Sequence, residues 1–558
     1  MSPPTLAARI TAAALPGVTD VVPGARTVMV HFEPGQADPA ELADRVQALA
    51  AALGAPATGA AASEPLVIEP VVIDTVVIDT VVIDTLYDGP DLAEVAALSG
   101  LSVAEVIERH QAGEYRVGWL GFSPGFGYLT GLDPLLASVP RLDTPRVSVP
   151  GGSVAIAGGL AAVYPATSPG GWRLLGRTSA VLWDTDRDPP AVLAPGARVR
   201  FRAVSEPSPA PGAEHGTHPT PEPEHRTGPA TAQEPGARRA AESVNRVLEV
   251  LQPGLLTTIQ DLGRPGYAHL GVPRSGAADP DSLRLANNLV GNEPGAACLE
   301  ATLGRITVRF AAPAVAALTG APAPIRVTHP GEQTETEMRP PHGEAFTVPP
   351  GATLRLGAPP SGLRSYLAVA GGIDVTPALG SRSGDLLSGL GPGPLQAGDR
   401  LPLGPYPVAG RQPTPHAAGA AAPASPPAGS SPPEPSLPGA AGVTATLRVI
   451  PGPRDDWFAP GALAVLTSAE DYVVSPASNR TGLRLTGPVL PRATAVELPS
   501  EGMATGSLQV SHDGQPILLL ADHPTTGGYP VIAVVLSADI GLAAQLRPGQ
   551  RVRFQVRT

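Results

Sequence analysis

Apolar positions in the first 70 residues recur at helical spacing in LAARITAAALPG and PAELADRVQALAAALG, on either side of a strand-like ARTVMVHFEP. That pattern predicts a small α/β unit over residues 1–70. Beyond residue 85 the texture changes. Short Val/Ile/Leu runs such as SVAIAGGLAAVYP, RITVRFAAPAVAALTG and QPILLLADHP are cut by glycine and proline every ~8–12 residues, as short strands joined by turns require. Three blocks share this texture: 86–204, 246–408 and 446–558. Each nears its end through a Pro-Gly or Gly-Asp turn and a basic, apolar strand, in APGARVRF, QAGDRLPLG and RPGQRVRF. Three modules ending alike predict three related antiparallel barrels. The expected class is therefore mainly β with an α+β component.

Between the blocks lie two proline-rich stretches, 205–245 and 409–445, without large apolar side chains to offset the entropy of ordering. They are expected to be disordered linkers, too mobile for His215, His218 and His225 to form a metal site. The exact triplication VVIDT over residues 71–85 is too short for a solenoid or propeller and reads as a slippage expansion with strand propensity.

Composition narrows the chemistry. Glycine (64) and proline (69) make up about 24% of the 558 residues, twice the usual ~12%, which excludes a protein of long helices. The net charge of −12, with no basic tail, argues against nucleic-acid backbone binding. All 38 basic residues are arginine. With no lysine there is no P-loop lysine, no Schiff base and no covalent biotin on this chain. The single cysteine, Cys298, allows no internal disulfide and reads as a packed small hydrophobe, and no resident metal is expected. No signal-peptide pattern and no run of 18 apolar residues occurs, so a cytoplasmic chain without a membrane partner is expected.

Arg141 and Arg146 sit in two Pro-Arg pairs five residues apart, where rigid turns would hold two guanidiniums for a carboxylate or phosphate, or simply for local acids. Gln260, Asp261 and Arg264, in TTIQDLGRPG, fall on a strand-then-turn that would place them at a barrel mouth. Asp279, Asn287, Asn288, Asn292 and Glu300 follow on a helix and its exit, as caps or as a set matched to a small polar amide. Arg480, Arg484, Gln509, Gln515, Asp522, Thr525, Thr526 and Tyr529 supply complementary groups in the last block. His110 closes the helix-like SVAEVIERH, either as a general acid/base or as a partner of the helix C-terminus.

GFSPGFGYL, PRLDTPRVSVPGGSVAIAGG and YPATSPGGWRLLGRT resemble the B-type subunit of bacterial 5-oxoprolinase, a family also described as allophanate hydrolase subunit 1 and as a sporulation-kinase inhibitor. TTIQDLGRPGYAHLGVPRSGAADPDSLRLANNLVGNEPGAACLEATLG, RVIPGPRDDWF and LPSEGMATGSLQVSHDGQPILLLADHPTTGGYPVIAVVL resemble the C-type subunit, the urea-amidolyase-related, biotin-dependent carboxyltransferase-like family. The chain thus resembles a B–C fusion. The resemblance implies cyclophilin-like barrels and ATP-dependent opening of the 5-oxo-L-proline lactam to L-glutamate. ATP with Mg2+ would be co-substrate and a separate A-type subunit the partner, with homo-oligomerisation left open.

It further implies catalytic roles for His110, Arg141, Arg146, Gln260, Asp261 and Asp279. Substrate or nucleotide binding would fall to Arg177, Arg264, Asn287, Asn292, Glu300, Arg480, Gln509, Gln515, Thr525, Thr526 and Tyr529. Two other functions fit the same families. One is carboxyl transfer from carboxybiotin on a separate carrier to urea or a similar amide; the other is non-catalytic regulation of a sensor kinase. Two departures stand out: no opening strand precedes LAARI, and Ser381, Arg382, Ser383 and Gly384 replace the family's Ser-Arg-Ser-Thr, followed by GPGPLQAGD where a Gly-Arg turn is expected.

Overall fold

The computed structural model describes residues 2–33, 35–52, 80–142, 146–206, 246–329, 336–407, 444–494, 496 and 498–557. Nearly all of both proline-rich stretches, with the three histidines in the first, and the first two VVIDT copies apart from Thr80 lie outside the described residues.

The N-terminal unit has two helices, Pro3–Ala12 and Pro39–Ala51. Each starts with proline, which needs no N–H partner there, and each is capped by a side-chain oxygen, from Ser2 and Asp38 respectively. Between them runs a hairpin, Val18–Pro23 against Val28–Phe32, where the sequence pattern predicts one strand. The extra strand, VTDVVP, carries an aspartate in the middle of its apolar run, which breaks the alternation.

The first large sheet orders its strands Arg173–Arg177, Ser153–Ala157, Leu160–Val163, Gly127–Thr130, Tyr115–Leu120, Arg198–Ala203 and Val81–Thr85. A two-way backbone pair between Leu86 and Arg177 (2.8 and 2.9 Å) joins its two edges. The third VVIDT copy is thus a working strand, with Ile83 and Thr85 fully buried. Helices Leu92–Ser99 and Val103–Ala112 cover this barrel through Val95 and Val106. The second takes its start from a Ser102/Glu105 capping box.

Residues 247–402 form a six-stranded and a five-stranded sheet around Leu248, Ile259, Leu299, Val308, Leu318 and Leu367. Helix Pro280–Leu289 packs Leu283 and Ala286 against Tyr366 and the buried Cys298. Residues 445–556 close a seven-stranded barrel.

The three similar endings have a common structural meaning. In each module the last strand pairs with the first: Arg198–Ala203 with Val81–Thr85, Arg400–Pro402 with Val247–Gln252, and Arg551–Val556 with Ala445–Pro451. The first and third of these pairs are parallel, not antiparallel as the pattern predicts. A strand buried on one face alternates identically in either direction, so the pattern carries no sign of it.

Candidate ligand-binding site

A cleft of about 300 Å³ lies between the first barrel and the last. Its first wall begins at the loop after strand Tyr115–Leu120. Gly121 lies so close to Thr526 that a Cβ would approach its side chain to 2.7 Å, and the Gly125 N–H donates to the Leu270 carbonyl (3.0 Å). These contacts press the loop against the other half of the chain. They leave Phe122, Phe126, Tyr128, Tyr164 and Trp172 as an aromatic wall, with Phe126 edge-on to Tyr164 (5.3 Å) and to Trp172 (5.6 Å). Arg141 joins this wall.

The second wall comes from the last barrel: Arg484, Gln509, Ile517 and Leu519 on adjacent strands, then Arg492, Ser500, His512 and residues 526–529. The Tyr128 hydroxyl meets Thr526 Oγ1 across the junction (3.0 Å). Burial raises the pKa of that phenol, with Thr526 and Arg141 opposing, so it remains protonated. A Cβ on Gly528 would overlap Arg141 Nη1; glycine there makes room for the guanidinium. Among the described residues, three arginines line the cleft and no aspartate or glutamate does. Concave, partly apolar walls carrying arginine side chains suit an anionic ligand.

Of the residues predicted from sequence, the fold brings Arg141, Arg484, Gln509, Thr526 and Tyr529 to this cleft. Arg146 points elsewhere, paired with Asp91 (2.6 Å), and Arg177 pairs with Asp88 at the surface (2.8 Å). His110 is a buried residue of helix Val103–Ala112, with Nδ1 on the Tyr87 hydroxyl (2.7 Å) and its ring 4.4 Å from that of Phe201. Burial pulls its pKa down to about 3, which keeps it neutral. Gln515 brackets Gly487 through both its amide atoms, and Thr525 is buried outside the lining.

The remaining candidates form a second assembly, buried between the last two modules. Arg480 donates to both oxygens of Asp522 (2.9 and 2.9 Å), to Glu300 and to the Gly276 carbonyl (2.6 Å). Glu300 also accepts from the Ala278 N–H (2.9 Å) and the Tyr366 hydroxyl (2.8 Å). Burial pushes the Asp522 carboxyl up, but Arg480 and the Ser275 hydroxyl hold it below the usual carboxylate range. Asp279 caps helix Pro280–Leu289 and accepts from Gln545 (2.9 Å).

Asn287 and Asn292 bond each other (2.9 Å) and the neighbouring backbone carbonyls. Asp261 accepts from Ser381 (2.7 Å), Ser383 (2.5 Å) and the Arg382 N–H (2.6 Å), so the departing Ser-Arg-Ser-Gly segment is tied to it. Gln260 donates to the Gly384 carbonyl (2.9 Å), and Arg264 to that of Ser383.

The aromatic wall, Arg492 and His512 escape the sequence reading. A signal for Arg492 is present: like Arg141 it follows proline, in VLPRAT. Among the described residues no cluster of three or more His, Cys, Asp or Glu side chains could hold a metal ion.

Residues 4–193 match the model for carboxyltransferase domain subdomains C and D, and residues 270–556 the model for subdomains A and B. The chain belongs to the carboxyltransferase-domain family. It is 38% identical to the 5-oxoprolinase C-type subunit of Escherichia coli K12 over 316 residues, 55% of this chain and 90% of that one. It is 53% identical to the 5-oxoprolinase B-type subunit of Escherichia coli O157:H7 over 113 residues, 20% of this chain and 51% of that relative, about half its length. The C-like region is also 33% identical to urea amidolyase of Lachancea kluyveri over 324 residues, which is 17% of that enzyme. Among solved structures, TTHA0988 is 35% identical over 99% of this chain and 95% of that one, with a TM-score of 0.73. The chain is thus a fusion of B-like and C-like parts.

In carboxyltransferase-domain terms, the cleft is built across the two matched regions. The C/D region contributes Arg141 and the aromatic wall; the A/B region contributes Arg484, Arg492 and the wall around Thr526.

Proposed function

We propose that this chain supplies the B-type and C-type parts of a cytoplasmic, ATP-dependent 5-oxoprolinase that works with a separate A-type subunit. The observation that supports the reading most directly is a cleft shared by both parts, to which Arg141, Arg484 and Arg492 each contribute beside an aromatic wall. Among the described residues no helix is long and apolar enough to cross a membrane, which accords with this reading.

A lactam carbonyl is a poor electrophile, and phosphoryl transfer from ATP to its oxygen turns that oxygen into part of a leaving group. Water adds to the activated carbon, the C–N bond breaks with a proton going to nitrogen, and a second water releases phosphate to leave glutamate. Arg141, Arg484 and Arg492 suit the substrate carboxylate and the phosphoryl oxygens. The protonated Tyr128 hydroxyl, Thr526 and Gln509 suit the neutral lactam. The aromatic wall limits the access of bulk water. The lining fits a polyanion; among its described residues no carboxylate faces a magnesium ion, which phosphate oxygens and water would hold.

The test is glutamate release from 5-oxoproline by the purified chain mixed with an A-type 5-oxoprolinase partner. Release that requires ATP and both proteins supports the reading; no release from a bound, folded complex refutes it. The family description favours a second reading, carboxyl transfer to a urea-like amide. As the chain has no lysine, biotin would have to reside on a separate carrier, and amide carboxylation with such a carrier added is the corresponding assay.

A further inference from the structure

Among the described residues the N-terminal α/β unit contributes none to the cleft lining, yet it is bonded to one of the cleft's walls. Asp20, on strand Val18–Pro23, accepts the backbone N–H groups of Gly266 and Ala268, both at 2.9 Å. At the hairpin tip the Ala25 N–H donates to the Ser500 carbonyl (2.8 Å), and a Cβ on Gly24 would meet the same oxygen at 2.7 Å. Ala25 also packs on the aromatic cluster of the first barrel. On the second strand Met29 abuts Gly502, where a Cβ would come within 2.8 Å of it. Ser500 lines the cleft, and strand Glu501–Gly502 pairs with Thr526–Gly527, which lines it too. The hairpin is therefore wedged where the two walls meet.

We propose that Asp20 and the hairpin it anchors position the 500–502 segment against the aromatic wall, making the N-terminal unit a working part of the ligand site. The inference rests on the reading of the cleft given above. Two backbone donors on one carboxylate form a strong and directional anchor. The tip, in turn, touches one wall through its backbone at Ser500 and the other through the packing of Ala25, so a shift of the hairpin moves the wall.

The seam also has a built-in readout. His31 faces Asp20, Arg274 and His523; His269 faces Asp20; and Arg274 lies 3.8 Å from Glu33. His523 bonds the Pro524 carbonyl and the Thr505 hydroxyl and lies beside Asp522 and His31. Burial lowers the pKa of all three histidines, against the pull of Asp20 on His31 and His269 and of Asp522 on His523. The docked seam therefore favours neutral imidazoles. Docking is strongest above the ordinary histidine pKa of ~6.5 and weakens as pH falls below it.

Hydrogen exchange on the full chain tests this directly. In Asp20→Ala, exchange at the Gly266, Ala268 and Ala25 amides rises at least tenfold at pH 7.5. The Met503 amide, which donates to Thr525 behind the wall, rises with them. Asp20→Asn, which keeps a side-chain acceptor, restores much of the protection. In the native chain the same amides lose protection between pH 7.5 and 5.5, after correction for intrinsic rates. Unchanged exchange at Ala25 and Met503 in Asp20→Ala overturns the proposal, as does a loss of protection spread evenly over all the barrels.

Titration with 5-oxoproline forms a separate arm, in which Asp20→Ala weakens binding about tenfold. If 5-oxoproline fails to bind the native chain, the proposed function falls, while the exchange data still decide whether the hairpin positions the wall.

Discussion

Replacing Arg480 by methionine separates a buried structural charge from a ligand-binding one. Its side chain is 1% exposed, and its two acidic partners are 0% and 1% exposed. In Arg480→Met, Asp522 keeps only the Ser275 hydroxyl (2.7 Å) and the Leu386 N–H (3.2 Å). Glu300 keeps the Ala278 N–H, the Tyr366 hydroxyl and Arg364 at 3.5 Å. Asp522 then lies away from water without the guanidinium that bridged it, Glu300 keeps only the longer Arg364 contact, and breaking a buried pair in this way costs about 3–5 kcal/mol. For a folding unit of this size that lowers the calorimetric melting temperature by roughly 6–20 °C. Adding Glu300→Gln and Asp522→Asn recovers part of the loss, because the cost lies in the stranded charges. A variant that melts within about 2 °C of the native chain but no longer binds 5-oxoproline would refute the reasoning and make Arg480 a ligand group.

The cleft arginines show the opposite signature. Arg141→Ala, Arg484→Ala and Arg492→Ala each weaken anion binding about tenfold or more in calorimetric titration and shift the melting temperature little. Gly528→Ala displaces the Arg141 guanidinium and reproduces the Arg141→Ala binding defect without removing a charge. Asp385 is pushed up to about 6 by burial and by Asp522, so its stabilising contribution is full below the free carboxylate pKa of ~3.9 and lost as pH rises through 6. Asp385→Asn therefore stabilises the chain by up to about 3 kcal/mol at pH 7.5, an effect that fades toward pH 4 in urea unfolding. His110, held near 3 by burial, gives stability that is full above ~6.5 and lost as pH falls toward 3. His110→Leu flattens that slope and leaves cleft binding intact.

The β architecture was legible because glycine and proline punctuate every strand, and because three endings of one type led to one kind of pairing. The direction of that pairing was not, since alternation is blind to it. At the cleft, the Pro-Arg pair at 140–141 pointed to a held guanidinium, and the same dipeptide at 491–492 carried the same message unread. Its neighbour at 145–146 shows the limit of the signal. Arg146 follows proline in the same way, but Asp91, 55 residues earlier, claims it. Arg480, Glu300 and Asp522 make the point more sharply. A set of arginines and carboxylates reads the same whether it waits for a ligand or neutralises itself, and only tertiary burial decides. The aromatic wall was hidden for a related reason: Phe122, Tyr128 and Trp172 look like core until two modules are set face to face.

The cleft's two walls, Arg141 on one side and Arg484 and Arg492 on the other, lie hundreds of residues apart on one continuous polypeptide. On separate chains the same walls would meet only by bimolecular encounter, and the fraction of complete clefts would fall on dilution. Covalent continuity makes that encounter first order, so the number of complete clefts is set by folding and not by concentration. It also fixes a one-to-one ratio of the two walls at synthesis, so neither half accumulates with its face of the cleft uncovered.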